Sequence, residues 1–257
     1  MLVRPGVEIH SFEPTPQNII DIKNSDFFIY TGGESDSWVE SILDSLDLER
    51  TKVIKLMDLV ELKAENTLSA EDDLLGPDDE ILVEYDEHVW TSIKNAITII
   101  ESLKNEFLAK NPGETSYQKN ADIYLDELRS IDAKIESLVG EASRKVLIFG
   151  DRFPLRYFVE DYGLEYYAAF PGCSEQSEAD ASTIAFLIEK VESENIPVVF
   201  HIELSSSAIA EEIARPTGAK VLEFHTAHNI SKNDFDTGRT YADIMRDNYD
   251  ALKEALK

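Results

Sequence analysis

Residues 197–225 have the sequence PVVFHIELSSSAIAEEIARPTGAKVLEFH. The apolar run Pro197–Phe200 predicts a buried strand, Ser207–Ala214 has helical spacing, and Lys220–Leu222 predicts a second strand. Strands that alternate with helices in this way are typical of a mainly parallel sheet. In open sheets of this kind, ligand-binding groups lie just beyond the carboxyl ends of the strands. This stretch therefore predicts an α/β fold with a candidate site at those ends.

The same alternation continues in both directions from this stretch. The other predicted strands are Phe27–Tyr30, Lys52–Leu56 and Val146–Phe149. The other predicted short helices are Gln17–Lys23, Ser37–Leu46, Phe153–Tyr162, Ala181–Ser193 and 240–256. The pattern predicts two α/β lobes with mainly parallel sheets.

A long helical pattern lies between these two α/β regions. Apolar residues recur at helical spacing from Thr115 to Leu138, after a break at Asn111–Gly113. The helix is either a rigid strut between the lobes or an ordinary surface helix. The predicted organisation is an N-terminal lobe at 1–113, a linking helix at 114–140 and a C-terminal lobe at 141–257.

The charge of the chain restricts its partners. The 257 residues include 24 Lys and Arg against 51 Asp and Glu, for a net charge of −27. The negative electrostatic field of such a chain disfavours binding to nucleic acid and anionic lipid and attracts cations. A simpler explanation is that the acidic residues serve only solubility. The single cysteine, Cys173, excludes an internal disulfide and a Cys-rich zinc site.

The five histidines of the chain fall in three places. His10 stands in HSFEP, His88 stands in DEHVW, and His201, His225 and His228 cluster near the C-terminus. Imidazole is a good ligand for zinc, and a metal site takes ligands from segments that are far apart in sequence. The histidines therefore predict a metal site, with surface or packed histidines as the alternative.

Glu203, His225 and His228 lie just after predicted strands and form the best local candidate for a site. His88 follows Asp86, and a carboxylate near an imidazole can orient the ring as a metal-binding protein requires. Asp86 could instead cap a helix. The sequence contains no P-loop, no dinucleotide-binding fingerprint and no HExxH helix, so other common chemistries are poorly supported.

Seven segments in order, from Arg4 to the C-terminus, resemble the zinc/manganese-specific solute-binding proteins of ABC transporters, the cluster 9 family. They are PGVEIHSFEPTPQNI, YTGGESDSWVESIL, DEHVWTSIKNA, NADIYLDELRSIDAKI, RYFVEDYGLEYYAAFPG, FHIELSSSAIAEEIARPTGAKVLEF and TYADIMRDNYDALKEAL. The resemblance implies two α/β lobes joined by one long rigid helix, with the metal site in the cleft between the lobes. It also implies a monomeric receptor, not an enzyme, that captures a divalent metal ion and delivers it to an ABC permease.

The resemblance also assigns ligand positions. His10 and His88 stand at the first and second, and His225 or His228 stands in the loop after the last strand. Arg152 occupies the third position, where an arginine cannot bind a metal, so Asp151, Glu203 or the extra histidine is expected to replace it. The predicted ligands are His10, His88, His225, His228 and Glu203. A histidine-rich set favours Zn²⁺ over Mn²⁺.

The N-terminus differs from the family pattern, because Met1–Gly6 is neither a signal peptide nor the family's first strand and helix. We expect an N-terminally truncated form of an extracytoplasmic, membrane-anchored lipoprotein, or a cytosolic protein if Met1 is the true start. Two other functions stay open. One is a metalloenzyme or metal chaperone with Glu203 as a general base, and the other is a metal-independent adhesin or interaction protein.

Overall fold

The computed structural model of the protein describes residues 1–7, 12–64, 84–172 and 179–257. His10, Cys173 and most of the acidic stretch 64–87 lie outside these residues. The chain divides into two compact units. The larger unit contains Trp90–Lys257 together with Met1 and Val3–Glu8, and the smaller unit contains Ile9–Val89 together with Leu2.

The smaller unit contains a two-stranded parallel sheet. In the described part of this unit the elements are α1 (Pro16–Lys23), β1 (Phe27–Tyr30), α2 (Glu40–Leu43) and β2 (Lys52–Lys55). β1 and β2 pair with Phe27 opposite Lys52. Helix α1 begins at Pro16 behind the cap residue Thr15, whose hydroxyl accepts the backbone N–H of Asn18 at 3.2 Å.

The prediction of one continuous α-helix at Ser37–Leu46 is wrong. Residues Glu34–Val39 form a 3₁₀ helix, and only the single turn of α2 follows it. Side-chain hydrogen bonds explain the difference, because the Ser41 and Ser45 hydroxyls donate to the carbonyl oxygens of Trp38 and Ile42 at 2.6 Å each. Such local bonds compete with a continuous helix. Of the apolar face that the spacing predicts, Ile42 and Leu46 are buried, and Trp38 and Leu43 pack partly buried against the same cluster.

The larger unit contains a four-stranded sheet in the order β4-β3-β5-β6, with every neighbouring pair parallel. Its strands are β3 (Val146–Phe149), β4 (Glu165–Ala168), β5 (Val198–His201) and β6 (Lys220–Glu223). The described helices of this unit are α3 (Ile93–Lys110), α4 (Thr115–Glu141), α5 (Arg156–Tyr162), α6 (Ala181–Ser193), α7 (Ala208–Thr217), α8 (Lys232–Thr237) and α9 (Tyr241–Ala255).

Three details differ from the predicted elements. Strand β4 lies at the edge of the sheet with only partial burial, and α8 buries none of its residues, so neither carries a strong apolar pattern. Helix α5 begins at Arg156 and not at Phe153. Pro154 explains that start, because the residue before a proline is disfavoured in helical conformation.

The core of the larger unit is rich in aromatic side chains. Phe149, Phe200 and Phe224, which lie in or directly after three neighbouring strands, pack with ring centroids 5.2–5.9 Å apart. The predicted helix from Thr115 is confirmed as α4, and it buries Leu125, Leu128, Ile131, Ile135 and Val139. Both α3 and α4 belong to the larger unit. The linking role of α4 and the lobe boundaries stay predictions.

Gly150 allows helix α7 to pack closely against the end of β3 in the larger unit. A Cβ atom on Gly150, which follows β3, would lie 2.4 Å from the Cα atom of Ala210 and 2.5 Å from its nitrogen. The Gly150 N–H donates to the carbonyl oxygen of Phe200 at 2.8 Å. The first turn of α7 therefore packs directly on the backbone at the end of β3.

The predicted fold class is confirmed, since the described residues form an α/β structure with parallel sheets. None of the helices in the described ranges combines the length and the apolar composition that crossing a bilayer requires.

Candidate metal centre

His88 is the candidate ligand of the smaller unit, and its ring is held by Asp86. The side chain is 1% exposed. Asp86 Oδ1 accepts the backbone N–H of His88 at 2.8 Å and lies 2.8 Å from the ring atom Nδ1. Because an ionised carboxylate is only an acceptor, Nδ1 carries the proton and the lone pair lies on Nε2. A histidine oriented by a carboxylate in this way is typical of metal ligands.

The neighbouring Glu87 anchors the same segment to a distant turn. Its carboxylate accepts the backbone N–H of Ser35 at 3.1 Å and also the Ser35 hydroxyl. Gly33 has a φ of 81°, and a Cβ atom there would lie 2.3 Å from Glu87 Oε2. The absence of a Cβ atom at Gly33 thus leaves space for the carboxylate beside His88.

His225 is the candidate ligand that follows β6 in the larger unit, and it is 3% exposed. Its backbone is held on both sides by the buried side chain of Asn248 in α9. Asn248 Oδ1 accepts the His225 N–H at 2.8 Å, and Asn248 Nδ2 donates to the His225 carbonyl at 2.7 Å. Sequence reasoning missed Asn248. A polar residue on the apolar face of α9, beside Met245 and Leu252, was the available signal.

Glu203 follows β5 and is 8% exposed. Its Oε2 atom accepts the backbone N–H of Thr226 at 2.7 Å. Its Oε1 atom accepts the Thr226 hydroxyl at 2.7 Å and the backbone N–H groups of His228 and Asn229 at 3.1 and 3.4 Å. The carboxylate therefore binds four donors of the loop that carries the two histidines.

The ring of His225 is close to the same carboxylate. Its Nδ1 atom accepts the backbone N–H of Ala227 at 3.0 Å and lies 3.5 Å from Glu203 Oε1. Burial lowers the pKa of His225 below its ordinary value, and the charge of Glu203 opposes this effect. Burial therefore favours the neutral ring, in which Nδ1 accepts the Ala227 N–H and Nε2 carries the proton.

His228 and its loop also contact Trp90. The rings of His228 and Trp90 have centroids 5.5 Å apart, and Trp90 Nε1 donates to the Thr226 carbonyl at 3.1 Å. The side chain of Asn229 reaches the N-terminal segment, where its Oδ1 atom accepts the Gly6 N–H at 2.9 Å. The loop 225–229 is thus fixed to several parts of the larger unit.

The remaining candidates lie around the ends of β3 and β5. Asp151 Oδ2 accepts the Ile202 N–H at 3.1 Å, and Asp151 Oδ1 accepts the Arg152 N–H at 2.8 Å. His201 Nδ1 donates to the Ile202 carbonyl at 3.0 Å. Asp151 therefore joins the two strand ends through their backbones.

The structure brings Glu203, His225 and His228 together in the larger unit, and it places His88 beside Asp86 in the smaller one. His10 lies outside the described residues. Within the ranges that the structure describes, no group of three or more His, Cys, Asp or Glu side chains is arranged to hold a metal ion. The complete ligand set stays a prediction.

Comparisons with known proteins agree over the whole chain. The zinc-binding lipoprotein AdcA of Streptococcus pneumoniae is 28% identical over 256 residues, which are 99% of this chain and 50% of the relative. The high-affinity zinc uptake system protein ZnuA of Bacillus subtilis is 28% identical over 257 residues, which are 100% of this chain and 80% of the relative. The chain thus spans about half the length of AdcA.

Solved structures show the same fold. The Zn(II)-bound ZnuA-like domain of Streptococcus pneumoniae AdcA superimposes with a TM-score of 0.77 at 27% identity, covering 99% of this chain and 89% of that one. The metal-dependent lipoprotein YcdH from Bacillus subtilis gives a TM-score of 0.81 at 27% identity, with 100% and 90% covered. The model of the family ZnuA, zinc-uptake complex component A, periplasmic, matches residues 1–255. The chain therefore belongs to the ZnuA family, which confirms the resemblance drawn from its seven segments.

Proposed function

We propose that this chain is the metal-binding part of an extracytoplasmic receptor that captures Zn²⁺ for uptake through an ABC permease. The observation that carries the proposal is the pair formed by Asp86 and the buried ring of His88, 2.8 Å apart. A structural packing role would not require an ionisable carboxylate at Nδ1, whereas a metal ligand commonly has one. Family membership and relatives that are named as zinc-binding support the same function.

The proposed ligands are the imidazoles of His10, His88, His225 and His228. Glu203 was a further candidate from the sequence, but it already accepts four hydrogen bonds from the loop. A set dominated by nitrogen ligands suits Zn²⁺, whereas Mn²⁺ prefers more oxygen ligands. The low pKa of His225 supports binding near neutral pH, because no proton has to be displaced from a charged ring.

The setting of the protein belongs to the same proposal. A periplasmic family and relatives named as lipoproteins support an extracytoplasmic, membrane-anchored receptor. A net charge of −27 supports a cation as the cargo and disfavours nucleic acid as a partner. We propose a monomer without enzymatic activity. A metalloenzyme would need Glu203 as a general base, and its four hydrogen bonds to the loop favour the receptor instead.

The test is a competitive titration of chelator-stripped protein with Zn²⁺ and Mn²⁺, in which calorimetry measures the heat of binding. We expect one tight zinc site per chain and weaker binding of manganese. His88→Ala should weaken zinc binding about 100-fold or more. Loss of a residue that only orients a ligand costs up to about 100-fold, and loss of the ligand itself should cost at least as much. His201→Ala is the matched control and should leave the affinity unchanged.

Two results would contradict the proposal. The absence of a stoichiometric site for either metal would favour a metal-independent adhesin or interaction protein. Equal affinity in the unsubstituted chain and in His88→Ala would remove His88 from the ligand set.

A further inference from the structure

We infer that Glu203 is a positioning residue, which holds the loop 225–229 in its metal-binding form and does not itself bind the metal. The inference rests on the proposed function, because it assigns a role within the same site. It starts from the hydrogen bonds that join the end of β5 to the loop after β6.

The carboxylate of Glu203 is already bound by four donors of the loop. Its Oε1 atom accepts the Thr226 hydroxyl and the backbone N–H groups of His228 and Asn229 at 2.7–3.4 Å. Its Oε2 atom accepts the backbone N–H of Thr226 at 2.7 Å. Moving an oxygen onto a metal ion would leave some of these donors without their acceptor. Thr226 is fully buried, so water could not replace the lost bonds.

The backbone of the loop explains why such an acceptor is needed. Ala227 has a φ of 56°, in the left-handed region that non-glycine residues rarely occupy. This turn directs the N–H groups on either side of Ala227 towards one point, where only a negative group can accept all of them. Glu203 supplies that group from the neighbouring strand, and the histidines on both sides of the turn are fixed as a result.

Glu203 also lies beside His225. Its Oε1 atom is 3.5 Å from His225 Nδ1, which accepts the Ala227 N–H, while the side chain of Asn248 holds the backbone of the same histidine. Glu203 thus holds the backbone of His228 by a hydrogen bond and the backbone around His225 through the neighbouring Thr226. A single substitution at Glu203 should disturb both histidines without removing either of them.

The experiment compares Glu203→Gln, Thr226→Val and the double variant with the unsubstituted chain. Gln keeps one acceptor oxygen but presents an amide N–H₂ to the loop donors. Val has about the same volume as Thr but lacks the hydroxyl that donates a hydrogen bond to Glu203. Thr226 is not a proposed metal ligand, so this substitution leaves the ligand set unchanged. Glu165→Gln is the matched control, since it removes the same charge from an exposed residue of β4.

We expect Glu203→Gln to weaken zinc binding about 10–100-fold, as the loss of a partner that orients a ligand does. The ligand-field absorption of bound Co²⁺ should keep its band positions, because the ligands are the same. Hydrogen exchange at 226–229 should become faster in the metal-free chain. Thr226→Val should weaken zinc binding less than Glu203→Gln does. The fold-loss of affinity in the double variant should be smaller than the product of the two single fold-losses, because the two residues contact each other. Circular dichroism at the titration temperature confirms that each variant is folded.

Three results would overturn the inference. Shifted Co²⁺ bands in Glu203→Gln alone would make Glu203 a ligand. Unchanged zinc affinity in both variants, with a lower melting temperature, would make it a structural residue only. If the unsubstituted chain had no zinc site, both the proposed function and this inference would fail. If that chain binds zinc but the variants give either of the first two results, only this inference fails.

Discussion

Asp86 and Glu203 are buried carboxylates that contact candidate histidines in different ways. Asp86 accepts hydrogen bonds from the backbone and the ring of His88, which is two residues away in sequence. Glu203 accepts its bonds from a distant loop, in which the first donor, Thr226, lies 23 residues later. The first contact is therefore local enough to be expected from the sequence, and the second is not.

At the residue scale we predict that Asp86→Asn weakens zinc binding about tenfold, at the low end of the range for a partner that orients a ligand. The amide oxygen can still accept a hydrogen bond, but the negative charge beside the His88 ring is lost. Competition against a chromophoric chelator measures the effect. The exposed Asp44→Asn serves as the control and should bind zinc normally. An affinity equal to that of the unsubstituted chain would show that Asp86 caps the segment without supporting a ligand.

At the scale of elements, the site of the larger unit depends on how closely α7 approaches the end of β3. Gly150 permits this approach, because it presents no Cβ atom to the backbone of Ala210. Asp151, the next residue, binds the N–H of Ile202 and so joins the ends of β3 and β5. Glu203 then joins β5 to the loop after β6. The three strand ends are connected in a chain of short contacts.

We predict that Gly150→Ala destabilises the protein by about 1–3 kcal/mol, which is the usual cost of forcing extra volume into a packed region. Gly140→Ala is the matched control. Gly140 lies in α4 with open space around the position of a Cβ atom, so alanine there should stabilise the helix by up to about 1 kcal/mol. Unfolding in urea, followed by circular dichroism, measures both changes. Equal stability of the two variants would show that α7 shifts at little cost.

At the scale of the whole molecule, the charge of −27 is the dominant long-range property. Like charges at this density repel each other and oppose the compact state, and they also concentrate cations around the surface. Short ion pairs such as Lys94–Glu136 compensate only locally, because both side chains are substantially exposed.

We predict that the melting temperature of the metal-free protein rises by several degrees when NaCl is raised from low concentration to about 0.15 M, where the Debye length is about 8 Å. Screening reduces the repulsion between carboxylates and therefore favours the folded state. Differential scanning calorimetry measures the shift. KCl should have the same effect as NaCl if screening is the cause. A melting temperature that is independent of salt would show that self-repulsion does not limit stability.

The sequence by itself determined the elements and the fold class, because apolar periodicity is a local property. The strands β1, β3 and β6 and the long helix α4 lie where their spacing predicts them. Two elements were missed, namely α8, which buries none of its residues, and the edge strand β4. The sequence also singled out Glu203, His225 and His228, since they follow strands that end at one edge of a parallel sheet.

Only the tertiary structure decided what these side chains contact. The bonds from Glu87 to Ser35, from Asn248 to His225 and from Glu203 to Thr226 join residues that are 23 to 52 positions apart. No periodic pattern records such pairs, because they depend on where the chain returns after an intervening helix or loop. A sequence can show that a carboxylate follows a strand. Whether that carboxylate faces a metal ion or four backbone and hydroxyl donors is settled by the fold around it.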